Sequence, residues 1–67
     1  MKRNPKLEKL LTKYAAVIDA TGKELAMNFA MPADFIIGMA CDEMGITRKT
    51  WDELASYRIE KEQAANA

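Results

Sequence analysis

Leu7, Leu10, Leu11, Tyr14, Val17, Ile18, Thr21, Leu25 and Phe29 recur at helical spacing, and on a helical wheel they share one arc of roughly 120°. Strands alternate with a period of two and cannot hold such a stripe on one face; an α-helix buries it as a single narrow seam. Asn4 is a good N-cap, and Pro5 stands in the first turn, where its missing N–H has no intrahelical partner to lose. The stripe keeps its phase through Asp19–Leu25, which predicts one helix over 5–30, about 39 Å long. Thr21 and Glu24 have the spacing of a capping box and Gly22 weakens a helix interior, so a chain broken near Gly22 into four helices is the alternative. An unbroken helix of that length outruns what two shorter helices can cover. The seam, with Leu7, Leu11, Tyr14, Ile18 and Leu25 foremost, is therefore expected to pair two copies in a homodimer.

Pro32 disfavours helical geometry at Met31 and is well placed to open a new helix. Over 33–44 the chain is apolar around most of the wheel, which predicts a central, buried helix. Gly38 in its middle predicts the close approach of another backbone. Gly45 is a natural left-handed C-cap with Ile46 folding back behind it, and Thr47 or Thr50 caps a last helix over 48–63. The expected fold is all-α, a single helical domain over 1–67, with a long N-terminal helix and a C-terminal helical hairpin.

Stability in a chain of 67 residues is a problem, because a domain this small buries only about 60% of the surface its unfolded form exposes. Cys41 is the one cysteine and histidine is absent, so an intramolecular disulfide is impossible and a zinc site lacks its usual ligands. No metal or cofactor is expected, and association with another chain remains as the stabilising device. No apolar run approaches the ~20 residues of a membrane span, and no signal-peptide core follows the basic start. With a free thiol, these features predict a cytoplasmic protein. The formal net charge is zero, yet Met1–Met31 carries six basic against three acidic residues and the remainder four against seven. Halves of opposite sign suit packing on each other, or an antiparallel pairing of two copies.

The stretch Ala40–Leu54, "ACDEMGITRKTWDEL", resembles the helix-turn-helix pattern. That pattern wants a small residue before the turn glycine, an apolar residue after it, a short polar cap, and apolar residues on the inner face of the second helix. Here these are Cys41, Gly45, Ile46, Thr47, Trp51 and Leu54. The resemblance implies that Thr47, Arg48 and Lys49 meet phosphates and base edges in a major groove, with a basic N-terminal arm of Lys2, Arg3 and Lys6 adding phosphate contacts. Asp52 and Glu53 on the same helix oppose it, since carboxylates repel the phosphates that dominate affinity. The same turn chemistry also resembles the interaction helices of short bacterial regulators that dimerise or sequester a partner.

Catalysis finds little footing: histidine, the commonest acid–base residue, is missing, and Cys41 beside Asp42 and Glu43 lacks the electropositive setting that activates a thiol. Neither a glycine-rich phosphate loop nor a small-molecule substrate is indicated. Tyr14, Trp51, Tyr57 and Arg58 have the hot-spot chemistry of protein interfaces; among the methionines, Met39 and Met44 are expected to fill the core around the second helix, whereas Met27, on the side of the first helix away from the Leu7 seam, is expected to be exposed or part of a contact. The expected function is that of a non-enzymatic protein-binding regulator, adaptor or inhibitor of bacterial or phage type. A DNA-binding helix-turn-helix regulator is the alternative.

Overall fold

The Leu7 backbone N–H donates to the Asn4 side-chain oxygen at 3.2 Å, so the first helix starts where the sequence predicts. The computed structural model describes residues 3–28 and 30–66. It has helices α1 (Pro5–Lys13), α2 (Ala15–Met27), α3 (Ala33–Met44) and α4 (Arg48–Ala65), and no strand among the described residues.

The N-terminal segment is not one helix over 5–30, and the break is not near Gly22. It falls at Tyr14, whose backbone (φ −113°, ψ 28°) ends α1 and precedes α2. Thr21 does not form a cap. Its hydroxyl donates to the Val17 carbonyl at 2.7 Å, one turn back, and the helix continues through Gly22 to Met27. A straight helix of about 39 Å would exceed the longest dimension of the molecule, 35 Å. Bending at Tyr14 instead lets α1 pack on α4 while α2 packs on α3. Leu7 and Ile18 are buried in one core with Ile37, Ala40, Cys41, Met44, Trp51, Leu54 and Tyr57, and Leu11, Tyr14 and Leu25 lie half-buried against it. The seam expected to meet a second copy is thus covered by α3 and α4 of the same chain. Phe29, its last member, and Lys2, in the basic N-terminal arm, lie outside the described residues.

Helix α3 supplies Ile36, Ile37, Ala40, Cys41 and Met44 to the interior, but its apolar residues do not all turn inward: Phe35 and Met39 are exposed. Four short helices have too little surface to cover α3 on every side. A Cβ added at Gly38 would meet nothing within 4 Å, so the expected close backbone approach is absent. Gly45 has φ 67° and closes α3: the Ile46 N–H donates to the Cys41 carbonyl at 3.0 Å and the Gly45 N–H to that of Asp42 at 3.3 Å. Thr47 then caps α4, accepting from the Thr50 N–H at 3.2 Å. Alanine at these two glycines should have opposite effects. Gly45→Ala forces a Cβ into left-handed geometry and should destabilise by about 1–2 kcal/mol, whereas Gly38→Ala should stabilise by about 1 kcal/mol. Urea denaturation followed by circular dichroism checks both signs.

In α4 the inner face is Trp51, Leu54 and Tyr57; Ile59 is exposed. The Tyr57 hydroxyl ties α4 to the start of α1, donating to Glu8 Oε1 at 2.7 Å and accepting from the Asn4 N–H at 3.2 Å. Lys61 Nζ lies 3.3 Å from the other Glu8 oxygen. The hydrogen bond from Tyr57, then that from Lys61, holds the Glu8 carboxyl below its ordinary pKa. A carboxylate depressed on folding adds stability above its unfolded pKa, about 4.3, and that stability is lost as pH falls through the folded value. Acidification from about pH 7 to about pH 3 should therefore lower the melting temperature of the wild type more than that of Glu8→Gln.

Candidate nucleic-acid interface

The turn between α3 and α4 has the geometry that its residues predict. Cys41, Trp51 and Leu54 are buried, Ile46 is half-buried, and Thr47, Arg48 and Lys49 are exposed. Asp34 opens α3 and Arg48 opens α4, yet their side chains meet at 3.0 Å. In an antiparallel hairpin the start of α4 would lie beside the end of α3, some ~15 Å along the axis from Asp34, beyond the joint reach of the two side chains. The helices therefore cross, as the two helices of a helix-turn-helix do, rather than running back along each other.

Crossing brings the turn beside α1. Lys6, Lys9 and Lys13 line one side of a cleft whose other side is Gly45, Ile46, Thr47 and Thr50. The three lysines fall within roughly 60° of one another on the α1 wheel, on the face away from Leu7. The ion pairs between the N- and C-terminal halves use the minority charge of each: Lys61 with Glu8 at 3.3 Å, and Arg58 with Asp19 at 2.7 Å. The basic excess of α1 is left over. Among the described residues no carboxylate lies within 4 Å of Lys6, Lys9 or Lys13; the Lys13 ammonium stands 5.3 Å from the centre of the Tyr14 ring. The cleft also abuts the N-terminus of α4, where unpaired backbone N–H groups and the helix dipole add positive potential.

Arg48 is more constrained. Its Nη1 donates to Asp34 Oδ1 at 3.0 Å and its Nε to Asp52 Oδ1 at 3.3 Å, and these hydrogen bonds, Asp34 first, raise the guanidinium pKa further. Lys49 has no carboxylate within 4 Å among the described residues, and Glu53 is exposed.

The expected protein-binding anchors do not form one surface. Trp51 and Tyr57 are 8% and 6% exposed and belong to the core, Tyr14 is half-buried against it, and Arg58 is engaged by Asp19 and by Glu62 at 3.6 Å. Arg58 and Trp51 do share a groove between α2 and α4, with Gly22, Leu25 and Ile59 on its walls. A second groove, between α2 and α3, is lined by Met31, Ile36 and Met39, and Met27 is 76% exposed near the end of α2. Burial pushes the Cys41 thiol up, and its sulfur sits 3.8 Å from the Thr47 carbonyl, so the thiol helps pack the turn in its protonated form. No three His, Cys, Asp or Glu side chains converge among the described residues, and no helix among them is long and apolar enough to cross a membrane.

Sequence reasoning assigned Lys6 to a basic N-terminal arm and missed Lys9 and Lys13; the spacing of the three lysines was the signal available. It also missed Asp34 as the partner of Arg48. Fold and surface together define an all-helical domain in which the capped turn between α3 and α4 lies beside a lysine stripe. No protein-family model, curated protein or solved structure matches the chain.

Proposed function

We propose that this domain binds double-stranded DNA without catalysing a reaction, with the first turn of α4 entering the major groove and the α1 lysines holding the backbone. The observation that carries the proposal is the cleft in which Lys6, Lys9 and Lys13 face Thr47 and Thr50. It combines unpaired cations with a capped helix N-terminus, the two features that bind phosphate oxygens. Thr47, Arg48 and Lys49 stand exposed beside it. Arg48 lies between Asp52 at 3.3 Å and Asp34 at 3.0 Å, a cluster of net charge −1 that opposes phosphates together with Glu53, so the attraction rests on the α1 lysines and Lys49. Binding as a homodimer would double a phosphate footprint that is small in one copy, and a reducing cytoplasm suits both the free thiol and a DNA partner.

A protein-binding regulator or adaptor is the second reading. It is favoured by the exposure of Met27, Met31, Phe35 and Met39 on α2, α3 and the segment between them, not by the aromatic residues first expected to carry it. Fluorescence anisotropy with a labelled mixed-sequence duplex separates the two. DNA binding predicts association at low salt, with log K falling against log salt at a slope of about −2.7 to −4.5 for three to five phosphate contacts. Absence of binding at low salt would retire the DNA reading.

A further inference from the structure

We propose, resting on the DNA reading, that Arg48 is the base-reading side chain of this interface and selects guanine, and that Asp34 on α3 is the positioning residue that holds it ready. Charge decides what Arg48 is suited to do. Held by Asp34 at 3.0 Å and Asp52 at 3.3 Å, it sits in a trio of net charge −1, which offers phosphates no net attraction. The unpaired lysines of α1 and Lys49 serve that purpose. What Arg48 retains is direction.

A guanidinium carries five N–H donors in a rigid plane. One on Nε and one on Nη1 are used by the two aspartates, leaving three, both of those on Nη2 among them. The two anchors come from different helices, Asp52 one turn along α4 and Asp34 across the crossing from α3, so the plane is fixed against both elements of the turn. Half of the Arg48 side chain remains accessible, 49%, at the first position of α4 after its Thr47 cap. A planar donor pair left accessible at that position matches the O6 and N7 acceptors that guanine presents in the major groove. Adenine would set its own N6 donor against one of them. Lys49, a rotatable point charge with no carboxylate within 4 Å among the described residues, lacks the fixed plane that makes such a pairing directional.

The test separates affinity from discrimination. Wild type, Asp34→Asn and Arg48→Ala are each used to select sites from a random-sequence duplex library, and their anisotropy is titrated with a mixed-sequence duplex. Asp34 is 88% exposed, and circular dichroism melts confirm that the variants are folded. The wild type should enrich a motif with a fixed guanine, and Arg48→Ala should lose that guanine with roughly tenfold less discrimination or more. Asp34→Asn should move the two readouts in opposite directions. Loss of one negative charge tightens binding to mixed sequence by a few-fold, while the guanine preference falls. A residue that merely supports the fold would weaken both. The proposal is overturned if Asp34→Asn keeps the full preference or weakens binding to all sequences, or if the enriched motif does not depend on Arg48. A wild type that binds no duplex even at low salt would overturn the DNA reading, and this inference with it.

Discussion

Replacing Lys6, Lys9 and Lys13 together with alanine is expected to weaken binding to mixed-sequence duplex DNA on the order of a hundredfold at low salt. The same change should flatten the slope of log K against log salt by about 2.7, since each phosphate contact releases about 0.9 counterions. All three lysines are exposed, and alanine is the better helix former, so α1 should survive and the loss can be read as lost contacts. Lys23 is also exposed and basic but lies on α2, away from the cleft, so Lys23→Ala controls for a general change in charge. A triple variant that binds as tightly as the control would detach α1 from the interface and leave the turn without its phosphate clamp.

Leu54→Ala is expected to have the largest effect on stability. Leu54 is 1% exposed, and it joins the core where residues from all four helices meet. Truncating a buried leucine costs about 2–5 kcal/mol through lost transfer energy and the cavity left behind. A domain of this length has a total stability of only about 3–10 kcal/mol, with no disulfide to restrain the unfolded chain. The variant should therefore lose a large part of that stability, with the urea midpoint and the melting temperature of its helical circular dichroism signal lowered accordingly. A cooperative transition displaced by less than ~1 kcal/mol would mean that α4 does not pack through Leu54.

The same locality explains which parts of this structure could be read from the sequence. Asn4 with Pro5, and Gly45 with Thr47, mark helix ends through hydrogen bonds made within a few residues, and both ends fall where those residues predict. The bend at Tyr14 was not legible, because the apolar stripe from Leu7 to Leu25 keeps the same phase in a straight helix as in a bent one. The bend lets α1 pack on α4 and α2 on α3, pairings between distant segments that no local pattern supplies. Trp51 and Tyr57 have equal standing as interface anchors or core residues on composition alone. The core claims them because α4 crosses both α3 and α1. The pairing of Arg48 with Asp34 spans 14 residues and depends on the crossing of α3 and α4, which no spacing rule supplies. The lysine stripe was visible as a pattern on α1, but its place beside the capped start of α4 came only from the fold.

The most direct test of the central claim is an NMR titration of isotope-labelled protein with unlabelled duplex DNA at low salt, following the backbone amides. Binding through the proposed surface predicts shift changes concentrated at Lys6, Lys9, Lys13 and Thr47–Thr50, with the amides of Met27, Met31 and Met39 undisturbed. Shifts confined to the methionine-bearing side, or no shifts at any duplex concentration, would contradict it.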